Sequence, residues 1–233
     1  MKKCRIYYTS NNSRYENEGW PGDFTSHFED MFLTDDGYVL SAELRWRTIK
    51  RLAYDDPNRV MDMDDESTYE PKEPAKVIGG QRLYTPYDGT YISRDIANNR
   101  LILPFECDGK WGYCHAYTGE VLHAPKWNFC DEFDCYDCAR FNIGEEQWGF
   151  IDINWSEGIP PVYQYLSRFE YYSSLAKKGG LWGVIDLYGK IVVDLKWDAI
   201  WFDCNTYSSG HGYGYIVMKE KDGQKIYTAL DER

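Results

Sequence analysis

The sequence predicts an all-β chain: an array of β-hairpin repeats in a solenoid-like twisted sheet, with an atypical N-terminal cap. The dipeptide Trp-Gly occurs at Trp111-Gly112, Trp148-Gly149 and Trp182-Gly183, at intervals of 148 − 111 = 37 and 182 − 148 = 34 residues. Self-similarity at that period marks one supersecondary unit used repeatedly. Nine Trp and 21 Tyr, with few long apolar runs, favour strands over helices.

The unit is clearest from Leu181 to Phe202, which reads as a strand, a turn at Asp186-Leu187-Tyr188-Gly189 and a second strand. Gly189 supplies the positive φ such turns require, and Asp186 can accept hydrogen bonds from the turn backbone. Trp148 precedes Asp152 by four residues, as Trp182 precedes Asp186, and eleven residues separate Asp152 from Tyr163 and Asp186 from Trp197. Because Asp152 and Asp186 hold equivalent turn positions, one structural role explains both better than paired acid-base catalysis does. A second signature, aromatic-x-x-apolar-x-x-apolar, appears as Trp127, Cys130, Phe133 and as Tyr163, Leu166, Phe169; Trp197 and Ile200 repeat it, with Phe202 one place early. The copy at Trp111 carries one extra residue before its turn, since Ala116 rather than His115 stands eleven before Trp127. A bulge is expected to absorb it.

The pairing of Trp with Gly has a physical rationale. An indole buries a large apolar area, and the following Gly lets a neighbouring backbone or ring approach closely. One hairpin cannot bury such a ring alone, so the units must stack.

The ends of the array are less regular. Asp35-Asp36-Gly37 is a turn signal, and Trp46, Ile49 and Leu52 form a degenerate aromatic triplet. Tyr215 to Tyr227 resembles the strand entering Trp-Gly, but Lys225-Ile226 stands where that dipeptide would be. Terminal units are commonly atypical because they cap an open end. Between Ala53 and Val77 lie three prolines, eight acids and three bases, too little apolar surface to offset ordering entropy. The organisation expected is therefore an N-terminal segment with a degenerate repeat (1–52), an acidic Pro-containing linker or insertion (53–78) and a repeat array (79–233) of four or five hairpin units in all.

Lys110-Trp111-Gly112-Tyr113, Gln147-Trp148-Gly149-Phe150-Ile151-Asp152 and Leu181-Trp182-Gly183-Val184-Ile185-Asp186 resemble the WG-repeat, or KWG-repeat, family, which is widespread in bacterial proteins. The resemblance covers residues 100 to 205 well and 31 to 52 poorly. It implies a repetitive β architecture and suggests binding rather than catalysis; the family offers no catalytic residues to carry over.

Charge narrows the classes of partner. With 26 basic and 38 acidic side chains the net charge is −12, which repels phosphate backbones and anionic membranes and would steer a basic partner instead. No apolar run approaches the length of about 20 residues needed to cross a bilayer, and no secretory core follows Met1-Lys2-Lys3. Seven cysteines, an odd number, fit reduced thiols better than a disulfide framework. These features point to a cytoplasmic chain.

Candidate chemistry is sparse. Cys130, Cys135 and Cys138 include a CxxC spacing that zinc sites use, with Cys107, Cys114, His115 and His123 nearby in sequence. A second ligand pair of comparable spacing is missing, and Cys130 holds the place of Leu166 and Ile200, so we read it as a core side chain and zinc as the weaker alternative. Cys114 and His115, adjacent on a strand, point to opposite faces. His27, His123 and His211 lack a partner at motif spacing, the acidic run Asp62, Asp64, Asp65, Glu66 lacks the pattern of a calcium loop, and Ser208-Ser209-Gly210-His211-Gly212 lacks the Lys of a phosphate loop. No cofactor or enzymatic activity is expected.

Aromatic side chains outside the core pattern remain as the functional resource. Tyr117, Trp155, Tyr171, Tyr172, Tyr188 and Trp201 fall at turns or between core positions, where exposed rings would be rigid anchors for a protein or a sugar. The expectation is a non-enzymatic protein that binds a basic protein surface, in its most concrete form an immunity or inhibitor protein. Carbohydrate binding through equivalent exposed rings is the alternative.

Overall fold

A computed structural model describes residues 1–11, 24–42, 74–86, 102–116, 118–134, 136–203 and 214–231. Every regular element among them is a β-strand, so the chain is all-β, as its aromatic-rich composition predicts. No helix among the described residues is long and apolar enough to cross a membrane. Several readings fall outside the described residues: the Trp46, Ile49, Leu52 triplet, the acidic run, most of the 53–78 linker, Tyr117, Cys135, the loop at Ser208 to Gly212, His211 and the side chain of His27.

The chain forms two compact units, Met1–Trp127 and Asn128–Arg233. In the first, β1 (Lys2–Asn11) pairs with β2 (Phe24–Leu33) over its full length and with β6 (Ile102–Cys107) on its other edge. The result is a six-stranded antiparallel sheet in the order β3-β2-β1-β6-β7-β8, where β3 is Val39–Leu40, β7 is Lys110–His115 and β8 is Val121–Trp127. The N-terminal strands therefore share a sheet with the Trp111 hairpin, and the division between units falls after Trp127 rather than around the 53–78 stretch. Long-range pairing of Cys4 with Cys107 creates this arrangement, and no periodicity signals it. The sheet curls until its ends meet, with Val39 N–H donating to Gly119 O at 2.7 Å and Val121 N–H to Gly37 O at 2.9 Å. Ile6, Met31, Leu103 and Phe105 fill its interior. A short hairpin of β4 (Lys76–Ile78) and β5 (Gln81–Leu83) completes the unit.

The second unit is a succession of three antiparallel sheets. Strands β9 (Phe129–Cys130), β10 (Cys138–Asn142), β11 (Trp148–Asp152) and β12 (Ile159–Tyr163) form the first. Strands β13 (Tyr165–Leu166), β14 (Ser173–Lys178), β15 (Leu181–Asp186) and β16 (Ile191–Trp197) form the second, and β17 (Ala199–Asp203), β18 (Gly214–Lys221) and β19 (Gln224–Asp231) the third. Phe150, Ile159 and Tyr163 pack with Leu166, Phe169, Ala176 and Ile185, so the core lies between successive sheets. Val184 joins Ile200, Tyr215 and Val217 at the next junction. This stacking is what the aromatic triplets encode, and Cys130, Leu166 and Ile200 are all buried.

Register explains the Trp-Gly dipeptide. Each Trp faces the distal aromatic of its own unit: Trp111 opposite Trp127, Trp148 opposite Tyr163 and Trp182 opposite Trp197. The next pairs are Tyr113 with His123, Phe150 with Ile159 and Val184 with Val193, so two residues on one strand span four on the other. The bulged strand arches over the glycine. A Cβ on Gly112, Gly149 or Gly183 would lie under 3.0 Å from the backbone carbonyl oxygen of His123, Ile159 or Val193 respectively. None of these glycines has positive φ, so close approach and not backbone freedom is the requirement. In the final hairpin, β18 pairs Lys221 with Gln224 as β14 pairs Lys178 with Leu181, which places Ile226 where Gly183 stands. A side chain there denies the arched strand its seat, consistent with the atypical last unit.

Turns recur as faithfully. Asp152 Oδ1 accepts from Asn154 and Ser156 N–H at 2.8 and 2.9 Å, and Asp186 Oδ1 accepts from Tyr188 and Lys190 N–H, both at 2.9 Å. Thr34 Oγ1 does the same work for Tyr38 N–H at 3.0 Å. In the Trp111 copy the equivalent residue is His115, whose Nδ1 accepts from Thr118 N–H at 3.3 Å. The extra residue of that copy lies inside the turn, because His115 N–H reaches Glu120 O whereas Asp186 N–H reaches Lys190 O. The expected bulge before the turn is therefore corrected: a turn lengthens at lower cost than a ladder whose far side is already arched.

One ionic contact ties the first two sheets of the second unit. Asp131, nearly fully buried, accepts from Arg140 Nε at 2.6 Å and Arg168 Nη2 at 3.0 Å, while Arg140 Nη1 donates to Leu166 O at 2.7 Å. Removing the carboxylate would leave a half-buried guanidinium short of its counter-charge.

Gly183→Ala should cost about 3 kcal/mol, because the only relief is displacement of backbone. Gly180→Ala, at φ +80° in open space, should cost only about 1 kcal/mol. Urea unfolding of the two variants measures the difference. Asp131→Ala should lower stability by about 3 kcal/mol in the same assay.

Candidate functional site

The candidate residues gather mainly at one end of the second unit's sheets. Ser173 pairs with Asp186, and Cys138 with Asp152, so the turns beyond these pairs project from corresponding sheet ends. Those turns carry Trp155, Tyr171, Tyr172 and Tyr188.

Tyr171 and Tyr172 are the two central residues of a tight turn closed by reciprocal hydrogen bonds between Glu170 and Ser173, at 2.8 and 3.0 Å. Their φ values are +51° and +67°, the left-handed pair that a type I′ turn demands. Four other two-residue turns among the described residues have the same pair of positive φ values and use Gly79-Gly80, Asp108-Gly109, Gly179-Gly180 and Asp222-Gly223. Tyrosine at both positions costs of order 1–2 kcal/mol each, since Cβ crowds the following carbonyl. The rings are nonetheless displayed, Tyr172 at 67% exposure and Tyr171 at 44%. Tyr172 lies 5.0 Å from the ring of Tyr136, whose hydroxyl oxygen accepts from Tyr172 N–H at 3.3 Å, and Tyr136 backs onto Phe169.

Trp155 shows the same substitution of an aromatic for glycine. It donates its N–H to Asp152 O as Gly189 does to Asp186 O and Gly119 to His115 O, and its φ is +67° where theirs are +76° and +73°. Its ring is half-buried, edge-on to Phe133 at 5.9 Å. Tyr188, at 88%, is the most exposed large apolar side chain among the described residues. Trp201 belongs elsewhere: it lies on β17, 6.3 Å from Tyr227 on the same three-stranded sheet.

The described cysteines divide between the two units. Cys130 is fully buried and Cys138 half-buried, with burial pushing the Cys138 thiol up to about 12. Cys4, Cys107 and Cys114 belong to the core of the first unit. Among the described residues, no group of three or more His, Cys, Asp or Glu is placed to hold a metal ion. Cys114 is buried in that core while its neighbour His115 caps a turn, and His123 stacks on Trp127 at 4.3 Å, burial lowering its pKa.

Sequence reasoning missed Tyr136 and Asp134. Asp134 Oδ1 accepts from Tyr136 and Cys138 N–H at 2.9 and 3.2 Å, the turn-bridging pattern of Asp152 and Asp186, and so holds the Tyr136 turn in place. The signal was available, as an Asp four residues before the first strand of a unit. Burial raises this carboxyl to about 6, outweighing the two backbone donors.

Comparison with known families now adds to this geometry. Residues 148–180 and 182–207 match the family model for the WG-containing repeat. These residues are WG-containing repeats. The matched residues span the two Trp-Gly hairpins at Trp148 and Trp182, the strands β11 to β17 among them, where the arched strand and the Asp-bridged turn both occur. No curated protein and no solved structure matches the chain.

Asp134 makes stability depend on pH in a defined sense. Its folded pKa lies above its unfolded value, so the folded state holds an extra proton between about pH 4 and 6 and loses stability as pH rises through that window. The loss should be on the order of 2 kcal/mol, and Asp134→Asn, which keeps an oxygen acceptor, should remove it. Comparing unfolding free energies of wild type and variant at pH 4 and pH 7 checks this.

Proposed function

We propose that this chain is a non-enzymatic binding protein whose aromatic turns, centred on Tyr171 and Tyr172, grip a basic protein surface. The observation that carries the reading is the occupancy of the turn. Asp-Gly or Gly-Gly fills the other four two-residue turns of this kind among the described residues, each with at least one glycine, whereas two tyrosines here hold left-handed conformations with their rings in solvent. Strain of this kind persists where the displayed side chains matter more than the turn's own stability. Backed by Tyr136, the pair is a pre-ordered aromatic patch, and rigid Tyr rings lose little entropy on contact.

Charge supports the nature of the partner. The net charge of −12 steers positively charged surfaces towards the chain and speeds their encounter. An inhibitor or immunity protein acting on a basic target is the concrete form of this reading.

Replacing the pair with Tyr171→Asn and Tyr172→Gly separates binding from folding. Thermal unfolding should show the double variant more stable by about 1 kcal/mol, because strain relief exceeds the lost ring contact with Tyr136. In pull-downs from native lysate at low salt, wild type should retain a basic protein that the double variant loses. Equal recovery by both, or retention of only neutral and acidic proteins, counts against the reading. Binding on a glycan array that survives high salt and is lost on Trp155→Ala would replace it with carbohydrate recognition.

A further inference from the structure

The second Trp-Gly unit departs from its siblings at the opposite end of β10 and β11 from the tyrosine patch. Its strands are joined by a longer loop: Asn142 pairs with Trp148, and the intervening residues include Glu145 and Glu146. Counted the same way, four residues separate Glu106 from Trp111 in the first copy and Lys177 from Trp182 in the third, one fewer than the five between Asn142 and Trp148. The residue opposite the Trp also changes character. Glu106 faces Trp111 and accepts from Arg5 and from Gly109 N–H, and Lys177 faces Trp182 with its ammonium 5.5 Å from the ring. In the second copy that position is Asn142, uncharged, at 9% exposure, and its side-chain amide makes no hydrogen bond among the described residues.

These two departures build one groove. Asn128, Phe129, Asn142, Glu145, Glu146 and Trp148 line an open depression of about 480 Å³. Phe129 meets Trp148 edge-on at 5.8 Å and fixes the indole as a wall. With no hydrogen-bond partner among the described residues, the Asn142 amide is free to engage a ligand in the groove it lines.

Donors and acceptors decide what fits. Glu145 is exposed and engages no described residue, and Glu146 commits only one carboxylate oxygen, Oε2, to Gln164 Nε2 at 2.7 Å. With the Asn142 carbonyl, acceptors outnumber donors, and no cationic side chain lines the groove. The complementary ligand is therefore rich in donors, positively charged and flat enough to lie against an indole. A guanidinium has five donors and no acceptor and stacks on aromatic faces. The same indole already takes one: Arg140 lies 5.4 Å from the Trp148 ring, its charge matched by Asp131.

We propose that this groove is a guanidinium site that receives an arginine side chain from a basic partner. It is a second anchor point beyond the tyrosine patch, and its chemistry is independent of that patch.

The test titrates the full chain, labelled with 5-fluorotryptophan, with N-acetyl-arginine amide, and follows the ¹⁹F resonance of Trp148 assigned through Trp148→Phe. A saturable shift of millimolar affinity is expected, with Glu145→Gln weakening it by about threefold and N-acetyl-lysine amide binding more weakly than the arginine analogue. Glu145 is exposed, so its variant should fold as wild type does. No saturation by about 50 mM, an affinity unchanged in Glu145→Gln, or equal binding of the lysine analogue would overturn the proposal. Cellobiose shifting Trp148 where the arginine analogue does not would also overturn it, in favour of a sugar site. Because the tyrosine patch is intact and unused in this titration, its failure as a protein contact and failure of the groove are read separately.

Discussion

The close backbone approach of the arched strand to the glycine after each Trp is the constraint on which the rest depends. At Gly149 a hypothetical Cβ would stand 2.5 Å from Ile159 O, 2.9 Å from Pro161 N and 3.0 Å from the Phe141 ring. Two of those three neighbours are backbone, so nothing flexible can yield. Arching the strand brings the distal aromatic opposite the Trp of the same unit, which makes one large apolar pair per hairpin. Such a pair is too large to be covered by its own hairpin. Burial is completed by the following sheet, as Tyr163 and Ile159 show by packing with Leu166, Phe169 and Ile185. The dipeptide thus links local geometry to stacking. Where Ile226 replaces the glycine, the final sheet lacks a strand on that side among the described residues.

Repetition also supplies a reference against which departures stand out. Among the described residues, every two-residue turn with both φ values positive uses a glycine except that of Tyr171 and Tyr172, and the glycine place of the longer Asp-bridged turn is taken by Trp155 in one copy. The residue opposite each Trp is charged and partnered except Asn142. The strained aromatic turns and the uncharged Asn142 thus share one unit, the second and its junction with the third. Regular elements there remain well packed, so the departures are confined to what the sheets display at their two ends. A rigid scaffold with local exceptions is how binding surfaces are commonly carried by repeat proteins.

Much of this was legible in the residues. Spacing alone located the three Trp-Gly hairpins, the bridging role of Asp152 and Asp186, the aromatic triplets with Cys130 in the core, and the irregular last hairpin at Lys225-Ile226. Each depends on contacts within one hairpin or between consecutive hairpins, and such contacts leave a period in the chain. The same reasoning singled out Tyr171, Tyr172 and Tyr188 as non-core rings, because they fall out of that period.

Other features arise only from residues distant in sequence or from backbone conformation, and tertiary structure decided them. Pairing of β1 with β6 drew the N-terminal strands into the first sheet across about a hundred residues, and strand partners at that separation share no pattern. Tyr136 became part of the aromatic patch through its contact with Tyr172 in the next unit. Strain at Tyr171, Tyr172 and Trp155 is a property of φ, invisible until the turns are built. The sequence by itself determined the repeating hairpin, because one steric requirement recurs at each copy; the folded chain decided which exceptions to that repeat lie together, because proximity between units is set by how the sheets stack.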